Sequence, residues 1–211
     1  GLVDEILGLL TVSETYLKKN QNMTLDHAID VAGDCFELAE KAGIKFIMAM
    51  GVAFFCPYQG IISDESVFNV VSKLYKKGIR RLYLAASTGM ENPIHIHRVF
   101  TAVYDRWPDI ELGFHMHERT GMAAANMFAA LDAGAKSVEG SICGIGGGIA
   151  MPGGMGDIGN LPTEDIVNML NRSELATGLD TDLVLATAKK IEAILDIPSR
   201  SYAARNKDIG V

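Results

Sequence analysis

Three stretches of the chain, KAGIKFIMAM, KKGIRRLYLA and DAGAKSVEGS, repeat one pattern: a helix end, a glycine, then an apolar run. Gly43, Gly78 and Gly134 suit the left-handed residue that stops a helix. The runs behind them suit strands buried in a parallel sheet. Helices are expected before these glycines, over Thr24–Ala42, Ser63–Lys77 and Thr120–Ala133, with Thr24 and Ser63 as N-caps. A further helix opens with Asn92 as cap and Pro93 as first residue, and ends before Pro108. Strands are expected at Asp4–Thr11, Lys45–Phe54, Arg80–Ala85, Glu111–His115 and Lys136–Ser141. Two more helices follow, near Thr163–Asn171 and Asp180–Leu195.

Strand and helix thus alternate, which places the chain in the α/β class with a parallel sheet, either doubly wound or closed as a barrel. A (β/α)8 TIM barrel normally takes about 250 residues. The opening GLVDEILGLL carries the same glycine-then-strand mark with no helix before it. The expectation is therefore a TIM barrel lacking its first three β/α units, on the order of 90 residues. A natural five-stranded sheet is the alternative. The barrel part spans 1–197, and 198–211, ending SYAARNKDIGV, reads as a surface tail.

Composition narrows the function. A formal net charge of −7 argues against a nucleic-acid partner, which needs a basic face. No run of about 18 uncharged apolar residues occurs, so no membrane span is expected. Three widely spaced cysteines, Cys35, Cys56 and Cys143, form no CxxC pair. They point to a reducing compartment, the cytoplasm by default, with a mitochondrial location open. Cys35 lies within a helix and reads as core; Cys56 reads as a packing residue near the rim. His95 and His97, in the first turn of a helix, read as surface residues.

His115 and His117, in IELGFHMHERTG, carry the most chemical information. Residues two apart on a strand point to one face, so two imidazoles project together from a strand end. That is a natural way to offer two nitrogens to one metal ion, and active sites of parallel α/β folds gather at such ends. Other ligands must come from neighbouring strands, oxygens if the ion is Mg²⁺ or Mn²⁺. Asn160 is the candidate, at the end of GIGGGIAMPGGMGDIGN. A loop so rich in glycine permits close approach to a ligand. It lacks the lysine and hydroxyl residue of a phosphate-binding P-loop.

With these residues in view, the chain resembles the 3-hydroxy-3-methylglutaryl-CoA lyase group of the DRE-TIM metallolyases. The matching segments are SETYLKKN, FFCPYQGIIS, LAASTGMENP, HMHERTGMAAANMFAAL and GIGGGIAMPGGMGDIGNLPTEDIVNML. The resemblance implies a divalent cation, Mg²⁺ or Mn²⁺, held by His115, His117 and Asn160, with an aspartate beside an arginine upstream of the present sequence. It implies carbon–carbon cleavage of a small-molecule 3-hydroxy acyl compound, a CoA thioester among the candidates, through an enolate. His115 would touch the metal and help move a proton, and Ser87 would contact substrate.

Several positions depart from the group's pattern. Gly148 stands where the lyases carry a reactive cysteine, and Cys143 is offset from it. Ala86 stands for an aspartate, Ser87 for a threonine and Ala49 for a tyrosine, and the HxH pair continues as Glu118–Arg119. The metal set is kept while polar groups around the substrate change, so the expected substrate differs from that of the parent lyases. A related aldolase or Claisen-type synthase, and a catalytically silent ligand-binding barrel, remain as alternatives. A homodimer is open.

Overall fold

The computed structural model describes residues 3–147, 151–153 and 158–205. The chain opens with β1 (Glu5–Thr11), α1 (Glu14–Gln21), α2 (Leu25–Ala42) and β2 (Lys45–Gly51). A small hairpin, β3 (Phe55–Cys56) and β4 (Gly60–Ile61), leads into α3 (Asp64–Lys76) and β5 (Arg81–Ala86). Then come α4 (Pro93–Arg106), β6 (Glu111–Glu118), α5 (Ala123–Asp132) and β7 (Ser137–Glu139). After the glycine-rich segment follow β8 (Gly159–Asn160), α6 (Thr163–Arg172), α7 (Thr181–Leu195) and the short α8 (Tyr202–Arg205).

The main strands lie in the order β1-β2-β5-β6-β7, all neighbours parallel, with β8 antiparallel to β6. Sequential order without a reversal is that of a barrel wall; a doubly wound sheet reverses at a switch point. The helix-facing side of the sheet carries the main core. Met50, Leu82, Leu84, Leu112, Phe114 and Met116 are fully buried there, against Leu74, Ile96, Val99, Phe100 and Val103 of α3 and α4. Phe114 meets Phe54 and Phe100 edge-on. The opposite side of the sheet lines a cavity, where Leu7 and Leu9 of β1 are about half exposed at 52% and 47%. Among the described residues no helix is long and apolar enough to cross a membrane.

The expected punctuation is present. Gly43, Gly78 and Gly134 all have positive φ. The side chains of Thr24, Ser63 and Asn92 each accept a backbone N–H in the first turn of their helix. Several expectations are corrected. The strand expected to run to Phe54 stops at Gly51, because Val52 takes a left-handed φ of 54° and the hairpin follows. The helix expected from Thr120 starts at Ala123, after Gly121 turns with φ 78°. Cys35 is exposed, since the buried stripe of α2 runs through Ala28, Ile29, Ala32 and Gly33 and leaves position 35 outside. His95 is buried on the inward stripe of α4, edge-on to Phe54, with Nε2 3.0 Å from Asp64. The residues read as a tail are packed as far as described: Ser199 and Ser201 are buried against α6.

Asp64, in the first turn of α3, also receives Nε and Nη2 of Arg98 at 2.7 and 2.9 Å, so one carboxylate ties α3 to α4. The Arg98 hydrogen bonds hold its carboxyl below the ordinary aspartate range. Arg98 is half exposed, so the tie is modest. Asp64→Asn should lower stability by about 1 kcal/mol at neutral pH. A depressed folded-state pKa stabilises above the unfolded value and loses effect as pH falls, so the two proteins' urea midpoints should converge below about pH 4.

Candidate functional site

The cavity side of the sheet is built in rows by strand register. Leu9, Ala49, Tyr83, Gly113 and Ser137 form one row. Ala85, His115 and Glu139 belong to the next row toward the strands' C-terminal ends, and His117 lies beyond. Alternation puts His115 and His117 on this face and Phe114 and Met116 on the other. The imidazole centroids are 5.0 Å apart. The expected strand Glu111–His115 is longer than read. It runs to Glu118 because β8 pairs with its end, setting Asn160 directly opposite His117.

Hydrogen bonding fixes which atoms of these residues are left over. Asn160 Nδ2 donates to the Ile145 carbonyl at 2.8 Å, which leaves Oδ1 buried without a partner. His117 Nδ1 is likewise buried and unpartnered. Burial, and then the neighbouring His115, pull the His117 pKa down to about 4, so its ring is neutral near pH 7, the form that binds metals. His115 Nδ1 lies 3.5 Å from Glu139 Oε1 on the next strand. That contact holds the Glu139 carboxyl below its ordinary value. Buried acceptors left unsatisfied cost free energy. A histidine nitrogen and an amide oxygen orphaned on residues paired across a ladder fit a divalent cation, with His115 as the adjacent donor. No cluster of three or more His, Cys, Asp or Glu residues suited to a metal occurs among the described residues. A cation here would therefore rest on two histidines, the amide and donors from elsewhere.

The glycines near Asn160 make this approach sterically feasible. A Cβ on Gly146 would stand 2.2 Å from Asn160 Nδ2, and Gly146 has φ 151°. Ser87 Oγ accepts the Val52 N–H at 2.8 Å and keeps its own proton available to a ligand. Ser87, His115, His117, Glu139, Thr11 and Met151 line a cavity of about 250 Å³. A larger groove of about 720 Å³ lies on the far side of β7 toward α6, away from the histidines, and holds none of these groups.

Ala49 lines the cavity, whereas Ala86 is fully buried beside its register partner Met116 on the helix-facing side. Gly148 is outside the described residues. Cys143 turns away from the cavity: it has φ 59°, its Sγ donates to the Ala188 carbonyl, and its N–H donates to Glu164. Burial and then Glu164 push its thiol pKa up, opposite to what a nucleophile needs. Cys56 is buried with Sγ 3.1 Å from Ser13 Oγ, in keeping with a packing role. Glu118 accepts the N–H groups of Gly121 and Ala123, so it caps α5 and leaves the cavity to the histidines.

Glu139 and Tyr83 were not singled out in the sequence. The alternation Ser137, Val138, Glu139 does set two polar side chains on one face of β7, and that was the available signal. Tyr83 lies across Gly113, where a Cβ would stand 2.4 Å from Tyr83 Cε1 and 2.6 Å from Ser137 Oγ. Gly113→Ala should therefore lower stability by about 1–3 kcal/mol, as overpacking does. Equilibrium denaturation reads this directly, and an unchanged midpoint would show that the ring can move aside freely.

Residues 3–191 match the HMGL-like family. A hydroxymethylglutaryl-CoA lyase of Bacillus subtilis is 32% identical over 203 residues, 95% of this chain and 67% of that protein. An (R)-citramalyl-CoA lyase of Chloroflexus aurantiacus is 32% identical over 158 residues, 75% of this chain and 49% of that protein. The chain thus spans between half and two thirds of these relatives' lengths. A solved lyase from Acinetobacter baumannii, in complex with coenzyme A and 3-methylmalate, superposes with TM-score 0.88 at 28% identity, covering 99% of this chain and 67% of that one.

Proposed function

Because the chain belongs to the HMGL-like family, we propose that it works as a divalent-cation-dependent carbon–carbon lyase on a 3-hydroxyacyl thioester of coenzyme A. The carrying observation is the orphaned pair His117 Nδ1 and Asn160 Oδ1, set opposite each other at the strand ends. His115, His117 and Asn160 would hold the cation, Mg²⁺ or Mn²⁺. When bound, it would polarise the hydroxyl and carbonyl oxygens of the substrate.

The chain's own groups then divide the work. Glu139 orients the His115 ring through Nδ1, as carboxylates commonly do behind metal-site histidines. With one ring nitrogen toward the cation and Nδ1 toward Glu139, His115 has no lone pair left for the proton of the 3-hydroxyl group, and the Glu139 carboxylate, which also lines the cavity, takes that proton. The O–H electron pair becomes the new carbonyl bond, the C2–C3 bond breaks, and its pair passes to C2 as a thioester enolate. Ser87 Oγ, with Val52 N–H already on it, donates toward the thioester oxygen as charge grows there. The enolate takes back a proton at C2, so the reaction is redox-neutral. Names of relatives that cleave hydroxymethylglutaryl-CoA and citramalyl-CoA support this class of substrate.

Two measurements test the reading. Mn²⁺ titrated calorimetrically into the whole natural protein should bind at one site. Affinity should fall at least tenfold in His117→Ala and in Asn160→Ala; a folded His117→Ala protein that binds as tightly as the parent sinks the assignment. Turnover should be sought across a panel of 3-hydroxyacyl-CoA thioesters. Ala49 on the cavity wall lacks the phenol that the family resemblance places there, so cleavage of 3-hydroxy-3-methylglutaryl-CoA should be slow. A rate on that substrate near the ordinary enzyme value of about 10 per second would restore the parent activity.

A further inference from the structure

Barrel interiors are usually filled by rows of several branched side chains of similar size. The row beneath the histidines departs from this. Its members Ala49 and Gly113 are small, and the Tyr83 ring between them leans over Gly113. The ring cannot swing toward β6 without leaving Gly113, and Tyr83 Oη accepts from Ser137 Oγ at 3.1 Å on the strand beyond. Tyr83 is two residues before Ala85, the register partner of His115. At about 3.3 Å per residue the ring therefore lies about 7 Å below the histidine row. Below it again, Arg81 is ion-paired to both Glu5 and Glu111, which occupies the interior with charge. The remaining depth lies on the other flank of the ring, above Ala49, walled by Leu7, Leu9 and Met151.

We propose that Tyr83 is the specificity-determining floor of the cavity, limiting the substrate to a short acyl group with a methyl- or ethyl-sized substituent on the carbon being cleaved. The proposal rests on the lyase reading for the identity of the substrate, and on the register and packing of Tyr83 for the limit itself. A substituent that points down from the histidines meets the ring face within one row. Only the lane above Ala49 accepts it, beside Leu9 in the same row.

The experiment uses the whole natural protein with Mn²⁺ and a series of 3-hydroxyacyl-CoA thioesters whose C3 substituent grows from methyl to butyl. Wild type should favour methyl and ethyl. Tyr83→Ala should shift the preference toward propyl and butyl, changing the butyl-to-methyl ratio of kcat/KM at least tenfold, within the range of pocket discrimination per methylene group. Tyr83→Phe, which keeps the ring, should keep the wild-type order. Tyr83→Val serves in place of alanine if the latter does not fold, as checked by circular dichroism. Calorimetric binding of the same series separates the two ideas. Length-ordered binding that changes in Tyr83→Ala, with no turnover by any protein, defeats the lyase reading and upholds the floor. The same order of preference in wild type and a folded alanine or valine variant, or no dependence on length in wild type, overturns the floor.

Discussion

The pairing of β6 with β8 governs the arrangement of the site. Where the parallel ladder with β7 stops at His115 and Glu139, the antiparallel contact begins, His117 against Asn160 and Glu118 against Gly159. That switch brings the end of the glycine-rich segment back onto the strand carrying both histidines. It also decides which polar atoms stay unpaired. The ladder occupies backbone groups, Ile145 occupies the Asn160 amide nitrogen, and the amide oxygen is left buried without a partner. Buried orphans of this kind cost free energy, and a nitrogen and an oxygen donor set side by side fit a divalent cation that accepts both.

Much of the fold could be read directly because its signals are local. A glycine that ends a helix and a hydroxyl or amide that starts one act within a few residues, and Thr24, Ser63, Asn92, Gly43, Gly78 and Gly134 all do what their types imply. The HxH pair was legible for the same reason, since two-residue periodicity needs no knowledge of the partner strand. What was hidden depends on register between strands. Glu139 backs His115 and Tyr83 crosses Gly113 only because β5, β6 and β7 align as they do. His95 misled because a polar residue near a cap reads as solvent-facing, while the helix phase turned it inward to Asp64. The segment after Pro198 looked unstructured in its composition, yet its serines answer carboxylates far back in the sequence.

The glycines divide by function once their surroundings are known. Those behind helices supply handedness, whereas Gly113 and Gly146 supply absence: in each case the missing methyl is where another residue's side chain must be. Composition alone cannot separate the two kinds. The distinction matters for substitution, because the first kind tolerates residues that accept a left-handed backbone, whereas any side chain at the second kind displaces a neighbour and costs stability.

Glu164 joins two parts of the chain that sequence holds far apart. Its carboxylate receives the N–H of Cys143, at the entry to the glycine-rich segment, and the hydroxyl of Ser199, after the last long helix. Asp165 beside it receives Ser201, Tyr202 and Ala203. Cys143 and Ser199 thus share one carboxylate as a clasp, and a change at either end of it is felt at the other.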